Sequence, residues 1–204
     1  MMGKVREAVY STFTSFGLYD VVNTVGSGDD MNAPTRHLDI FAGSGSVGLE
    51  SLSRGAAHCT FVDLARDCCD TVQRNLKLLD FEARGDVKCC DVFEALRHPR
   101  ENGIEGTFDI LTLSPPYEEI VYADLLDAIA NSPVLRDDTV IMVEYPVELG
   151  SLPHVLDRTV EGDEGKLIGV RNRKYGRTVI AMYVANPTGN LEVAQSRPED
   201  FISI

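Results

Sequence analysis

No stretch of the 204 residues approaches the roughly 18 unbroken apolar residues that a membrane helix needs, so an integral membrane protein is not expected. The five cysteines, Cys59, Cys68, Cys69, Cys89 and Cys90, include no Cys-x-x-Cys and have no histidine at zinc-ligand spacing. They read as reduced core residues, with no metal site. Basic residues are also scarce, 19 against 32 acidic, for a net charge of −13. That balance argues against gripping naked nucleic acid by bulk electrostatics. The chain opens without a signal peptide or an Arg-rich transit segment, and as written it reads as intracellular. What is present, 44% hydrophobic and 25% charged residues, matches one soluble domain around a single core.

Val5, Val9, Phe13 and Phe16 repeat at spacings of four, four and three, which predicts an amphipathic helix over 4–16. Residues 20–36 collect Asp, Asn, Gly, Ser and Pro without period and read as a loop. From 37 onward short apolar runs at Leu38–Ala42, Cys59–Val62, Val87–Cys90, Ile110–Leu113 and Val140–Val143 alternate with helical segments. Those segments are Ser46–Ser53, Ala65–Leu79, Phe93–Arg97 and Tyr122–Asn131. Alternating strand and helix predict an α/β fold with a parallel sheet covered on both faces. Lys166–Val170 and Val179–Val184 have no helix between them and should close an antiparallel hairpin. The core is expected over 37–184, in a domain of 1–184, and residues 185–204 read as a loose tail.

Gly43, Gly45 and Gly48 match G-x-G-x-x-G where the first strand turns into a helix, which suits a nucleotide-like ligand. Asp63 follows Gly43 by twenty residues, as an acidic ribose binder would. Asp39 lies four residues before Gly43, where a carboxylate meets a cationic amino acid portion but would repel a pyrophosphate. That favours S-adenosyl-L-methionine over a nicotinamide dinucleotide. Ser114-Pro115-Pro116-Tyr117 follows the strand ending at Leu113. Prolines leave carbonyls without a neighbouring donor, able to accept from a substrate amine, and Tyr117 offers a flat face for a base. A third feature is the run of Lys166, Arg171, Arg173, Lys174 and Arg177 with no acidic residue between Gly165 and Val184. It reads either as a solvated strand face or as a phosphate-contacting patch, with Arg171 and Arg173 on one face and Lys174 opposite.

The stretch LDIFAGSGSVGLESLSRG at 38–55, with Ser114–Tyr117 and KVREAVY at 4–10, resembles the small-subunit ribosomal RNA guanine-N2 methyltransferase family of bacteria and plastids. The resemblance implies a Rossmann-like class I methyltransferase: a seven-stranded, mainly parallel sheet with a C-terminal antiparallel hairpin. It implies that Asp39, Phe41, Gly43 and Gly45 line the methionine and sugar part of the cofactor, Asp63 the ribose and Asp91 the adenine amino group. Ser114, Pro115 and Tyr117 become the catalytic set, and Arg171, Arg173, Lys174 and Arg177 the RNA contacts. The partner would be ribosomal RNA or the assembling small subunit, met by a monomer, with the plastid stroma or the cytoplasm as compartment. The family usually carries Asp or Asn where Ser114 stands, and a basic Thr-Arg-Pro segment ahead of the first helix where this chain begins Met1-Met2-Gly3. Ser114 keeps open an amino-methyltransferase acting on DNA cytosine or adenine or on protein glutamine, and the missing segment with the net charge of −13 keeps open an inactive scaffold; the glycine pattern alone would allow a nicotinamide oxidoreductase, against which Asp39 and the Pro-Pro-Tyr stand.

Overall fold

A computed structural model describes residues 3–19, 35–191 and 194–202. The loop expected over 20–36 therefore lies outside the described residues except at its end, where Arg36 already begins a strand. Helix α1 (Gly3–Ser15) is followed by β1 (Arg36–Ile40), α2 (Ser46–Ser53), β2 (His58–Asp63), α3 (Arg66–Leu78), β3 (Gly85–Cys89), α4 (Val92–Arg97) and β4 (Phe108–Leu113). Then come α5 (Tyr122–Ala130), β5 (Leu135–Pro146), β6 (Val155–Val160), β7 (Asp163–Tyr175) and β8 (Thr178–Ala185). The sheet runs β3-β2-β1-β4-β5-β8-β7-β6, parallel from β3 to β5 and antiparallel beyond it. The α/β class, the parallel half and the closing hairpin are as the sequence leads one to expect.

The sheet has eight strands rather than seven. The additional one, β6, pairs among the described residues with β7 alone and exposes much of its surface, so its sequence VLDRTV carries no apolar run to announce it. Edge strands need only half-burial, and their signal is correspondingly faint.

Strand alternation sends side chains to two layers. Leu111 and Leu113 of β4 and Ile141 and Val143 of β5 pack with Leu125 and Ile129 of α5 on one face. Ile110, Val140 and Met142 face the other way and meet Val5, Val9 and Phe13 of α1. A third cluster joins Leu52 of α2 and Val72 and Leu76 of α3 to Cys59 and Phe61 of β2. Both α1 and α2 thus cover the same side of the sheet, and the Tyr10 hydroxyl, buried between them, donates to the Val47 carbonyl at 2.5 Å. The cysteines are all free, Cys59 and Cys69 buried as expected. Cys89 departs from the core reading: it ends the edge strand β3 and is exposed.

The tail is not loose where it is described. Phe201 is buried against His154 and Tyr183, the Arg197 amide donates to the Gly169 carbonyl at 3.0 Å, and Asp200 pairs with Arg173 at 3.7 Å. Gly169 makes room for this, since a Cβ there would stand 2.6 Å from the Phe201 ring. One aromatic anchor has no periodicity, which is why the pattern of 185–204 did not reveal it.

Candidate active site

The carboxyl ends of β1, β2, β3 and β4 meet where the strand order reverses between β1 and β4, the place where open α/β sheets bind ligands. The loop after β1 is bent by three left-handed residues, Phe41 (φ 59°), Gly43 (φ 55°) and Gly45 (φ 76°). For Phe41 that conformation costs about 1–3 kcal/mol, a strain typical of ligand-binding turns. Gly43 faces open space, with nothing within 4 Å of where a Cβ would stand. Gly45 caps α2, and Gly48 lies inside it, where a Cβ would meet the Phe61 ring at 2.3 Å and Cys59 Sγ at 2.5 Å.

The structure corrects the part expected of Asp39. Its carboxyl group is buried beneath the loop, with Oδ2 accepting from the Gly48 amide and Oδ1 from the Thr112 hydroxyl, both at 2.8 Å. Thr112 in turn meets His37 Nε2 at 2.8 Å. Asp39 therefore braces the loop from below. Burial raises its pKa to about 7, and burial lowers that of His37 to about 3. Neither His37 nor Thr112 drew notice in the sequence, although an alternating His-x-Asp on a buried strand puts both side chains on one face.

Asp63, ending β2, joins the glycine loop to the start of α3: Oδ2 accepts from the Gly43 amide at 2.8 Å and Oδ1 from the Ala65 amide at 2.9 Å. Asp91, beyond β3, caps α4 through Oδ1, which accepts from the amides of Phe93 and Glu94. Because Asp63 pairs in register with Cys89, the two carboxylates follow neighbouring strands along one rim.

Ser114 is tied to the end of β1 by its amide, which donates to the Ile40 carbonyl at 3.4 Å. Its hydroxyl is buried and has no hydrogen-bond partner among the described residues. Pro115 is buried and Tyr117 is 36% exposed. The Tyr117 hydroxyl donates to Glu144 Oε1 at 2.9 Å and lies 3.0 Å from Thr178 Oγ1. Glu144 was not singled out in the sequence; the available signal is a carboxylate directly ending the apolar run Val140–Val143.

The basic residues of the hairpin do not form one free patch. Arg171 turns against α1, with Nη1 3.3 Å from Thr12 Oγ1 and its guanidinium over the Phe16 ring, so the expected phosphate contact does not fit its position. Burial, then Arg173, lowers its pKa. Arg173 projects to the same side and pairs with Asp200, while Lys174 projects to the opposite side, as alternation requires. Arg177, in the β7–β8 turn, is exposed and holds Glu148 Oε1 with two guanidinium nitrogens. Lys174 and Arg177 remain exposed at the Tyr117 end of the sheet, next to Thr178.

A parallel sheet with this strand reversal, a glycine turn after β1 and a Pro-Pro turn after β4 define a class I methyltransferase fold. Solved structures agree: yhhF of Escherichia coli, titled provisionally as a methyltransferase, matches with a TM-score of 0.67 at 24% identity, covering 91% of this chain and 87% of that one. The protein TTHA0928 of Thermus thermophilus matches at 0.65 and 20%, covering 89% and 85%.

The chain belongs to the family described as Conserved hypothetical protein 95, whose model matches residues 1–184. YlbH of Bacillus subtilis, assigned provisionally by its name to the rRNA methyltransferases, is 39% identical over 152 residues, 72% of this chain and 74% of that protein. Ribosomal RNA small subunit methyltransferase D of Escherichia coli is 31% identical over 118 residues, 58% of this chain and 56% of its own length. This chain thus spans little more than half of that second relative. Both are bacterial, and the plastid expectation finds no support in them.

Proposed function

We propose that this protein is an S-adenosyl-L-methionine-dependent methyltransferase acting, as a single chain, on the N2 amine of a guanine in small-subunit ribosomal RNA. The observation that carries the reading is the Ser114 hydroxyl, buried without a partner among the described residues at the carboxyl end of β4, where the Ser114 amide is tied to the end of β1. Buried hydroxyls are almost always paired, so an unpaired one at a strand reversal is an acceptor waiting for a ligand. The names of the relatives supply the RNA and the ribosomal subunit.

The residues present fit the cofactor. Gly43 leaves open space above the loop, and Asp63 and Asp91, at the ends of neighbouring strands, are the residues that would hold the ribose hydroxyls and the adenine amino group. Asp39 contributes by keeping the loop in shape rather than by touch. The cofactor supplies an electrophilic sulfonium methyl group. Ser114 Oγ and the Pro115 carbonyl would accept from the exocyclic amine and turn its lone pair towards that methyl, and as the nitrogen takes the methyl group it would release one proton to water. Aromatic amines are weak nucleophiles, so most of the rate must come from proximity, worth up to ~7–11 kcal/mol in favourable cases. Tyr117 receives the extruded base on its face and offsets part of the unstacking cost. Lys174 and Arg177, exposed at the Tyr117 end of the sheet, would take the flanking phosphates, Arg177 by exchanging Glu148 for them.

The direct test is incubation with labelled cofactor and hypomethylated small subunits, followed by mass spectrometric mapping of the product. One N2-methylguanine is expected. Label appearing only in DNA or protein would overturn the substrate, and cofactor binding without any transfer would mark an inactive fold.

A further inference from the structure

Tyr117 reaches the site at the end of a stiff turn, but proline rings fix the backbone, not the tyrosine side chain. A ring that serves as a platform must also be held at its far end. Here the far end is held by two different strands. The hydroxyl donates to Glu144 Oε1 at 2.9 Å, and with its proton committed there it accepts from the Thr178 hydroxyl at 3.0 Å. Glu144 ends the parallel half of the sheet on β5 and Thr178 begins β8. Val143 pairs in register with Leu113, so Glu144 stands beside Ser114 on the neighbouring strand.

The local structure makes this tether firm. Glu144 is 7% exposed, and the Tyr122 hydroxyl donates to its carbonyl at 3.3 Å, so its backbone is pinned as well. Burial, and the nearby Glu144 charge, push the Tyr117 phenol up to about 12, so it remains a donor at any working pH. Tyr117 itself is more than one third exposed, which leaves its ring accessible while its tip is fixed.

Resting on the function proposed above, we infer that Glu144 and Thr178 are positioning residues for methyl transfer: through the Tyr117 hydroxyl they hold its ring as a preformed platform for the extruded base. The tether also links the Ser-Pro-Pro-Tyr turn to the β7–β8 hairpin that carries Lys174 and Arg177, so base and phosphate contacts are set in one frame. Preorganisation acts by removing the ordering cost at the moment of binding, and losing it should cost about fivefold to tenfold.

The test uses the full chain with Glu144→Ala, Glu144→Gln, Thr178→Val, Tyr117→Phe and the Tyr117→Phe/Glu144→Ala double variant. Single-turnover transfer to hypomethylated small subunits, at saturating cofactor, should weaken in half-saturation by about fivefold to tenfold for Glu144→Ala and Tyr117→Phe. The double variant should fall no further, Glu144→Gln should recover most of the loss, and calorimetric cofactor affinity should stay level. Independently of activity, 3-fluorotyrosine placed at 117 should report by fluorine NMR a lower phenol pKa in Glu144→Ala and a higher one in Thr178→Val. Additive losses in the double variant, or a fluorine titration identical in the unaltered protein, Glu144→Ala and Thr178→Val, overturn the tether alone. Absence of transfer by the unaltered protein overturns the functional reading, and this inference with it. Should Glu144→Ala fail to fold, Thr178→Val carries both readouts.

Discussion

The Gly48 amide donates to Asp39 Oδ2 at 2.8 Å, so the third glycine of the loop is held by the carboxylate that precedes the first. That bond ties α2 to β1, and the same face of the helix lies close against β2. A Cβ at Gly48 would stand 2.3 Å from the Phe61 ring and 2.5 Å from Cys59 Sγ, and both residues are fully buried and unable to give way. Gly48→Ala should therefore destabilise the fold by about 1–3 kcal/mol, despite the better helix propensity of alanine. Urea unfolding measures this, and a midpoint unchanged or raised would show that the helix can move away at no cost.

Beneath the loop, His37 and Asp39 titrate with opposite consequences. His37 has a folded pKa of about 3, below its unfolded value, so it removes stability as pH falls below about 6.5. Asp39 has a folded pKa of about 7, above its unfolded value, so stability falls as pH rises from about 4 to 7. Between pH 4.5 and 6 the two slopes, each about 1.4 kcal/mol per pH unit, cancel. Relative to the unaltered protein, Asp39→Asn should gain stability with rising pH across that window, and His37→Gln should lose it. Parallel curves of unfolding free energy against pH for all three proteins would rule the assignment out.

Asp63 accepts from the Gly43 amide of the glycine loop and from the Ala65 amide that opens α3, and the role proposed for it is to hold the ribose. If Asp63 holds the ribose as proposed, Asp63→Ala removes charge-assisted bonds to its hydroxyls, at ~1.5–3 kcal/mol per bond. Calorimetry with S-adenosyl-L-methionine should thus record at least a tenfold weaker dissociation constant. An unchanged constant would take Asp63 out of the site.

The hairpin cations should separate into two groups. Lys174→Glu and Arg177→Glu should weaken RNA binding and flatten its salt dependence, with cofactor affinity unaffected. Arg171→Glu should act first on folding, because it places a carboxylate against Thr12 and Phe16 of the α1 region. If all three give the same salt slope and the same thermal midpoint as the unaltered protein, the hairpin is only solvated surface.

Ser114→Ala leaves the Pro115 carbonyl as acceptor, so transfer should slow without stopping. The expected loss is about tenfold to a hundredfold, or ~1.4–2.8 kcal/mol, for one hydrogen bond in a dry site. Single-turnover rates at saturating cofactor measure it. A rate equal to that of the unaltered protein would make the turn structural.

The sequence by itself determined the parallel half of the sheet, its helices and the two turns of the site, because buried strands advertise themselves as apolar runs and glycine and proline act locally. It also brought Ser114, Tyr117, Asp63 and Asp91 into view, since each stands at a strand end or turn marked by its neighbours. Only the tertiary structure decided what those side chains face. Asp39 looked like a ligand contact because a strand-end carboxylate precedes the glycines, yet its partners, Gly48 nine residues on and Thr112 on another strand, turn it inward. Arg171 looked like a free cation until α1 was laid across it. Glu144 and Thr178 acquired a part only when β5 and β8 were placed side by side under Tyr117. The edge strand β6 and the Phe201 anchor were silent for the same reason: half-buried strands and single contacts carry no period, and their stability comes from residues far away in the chain.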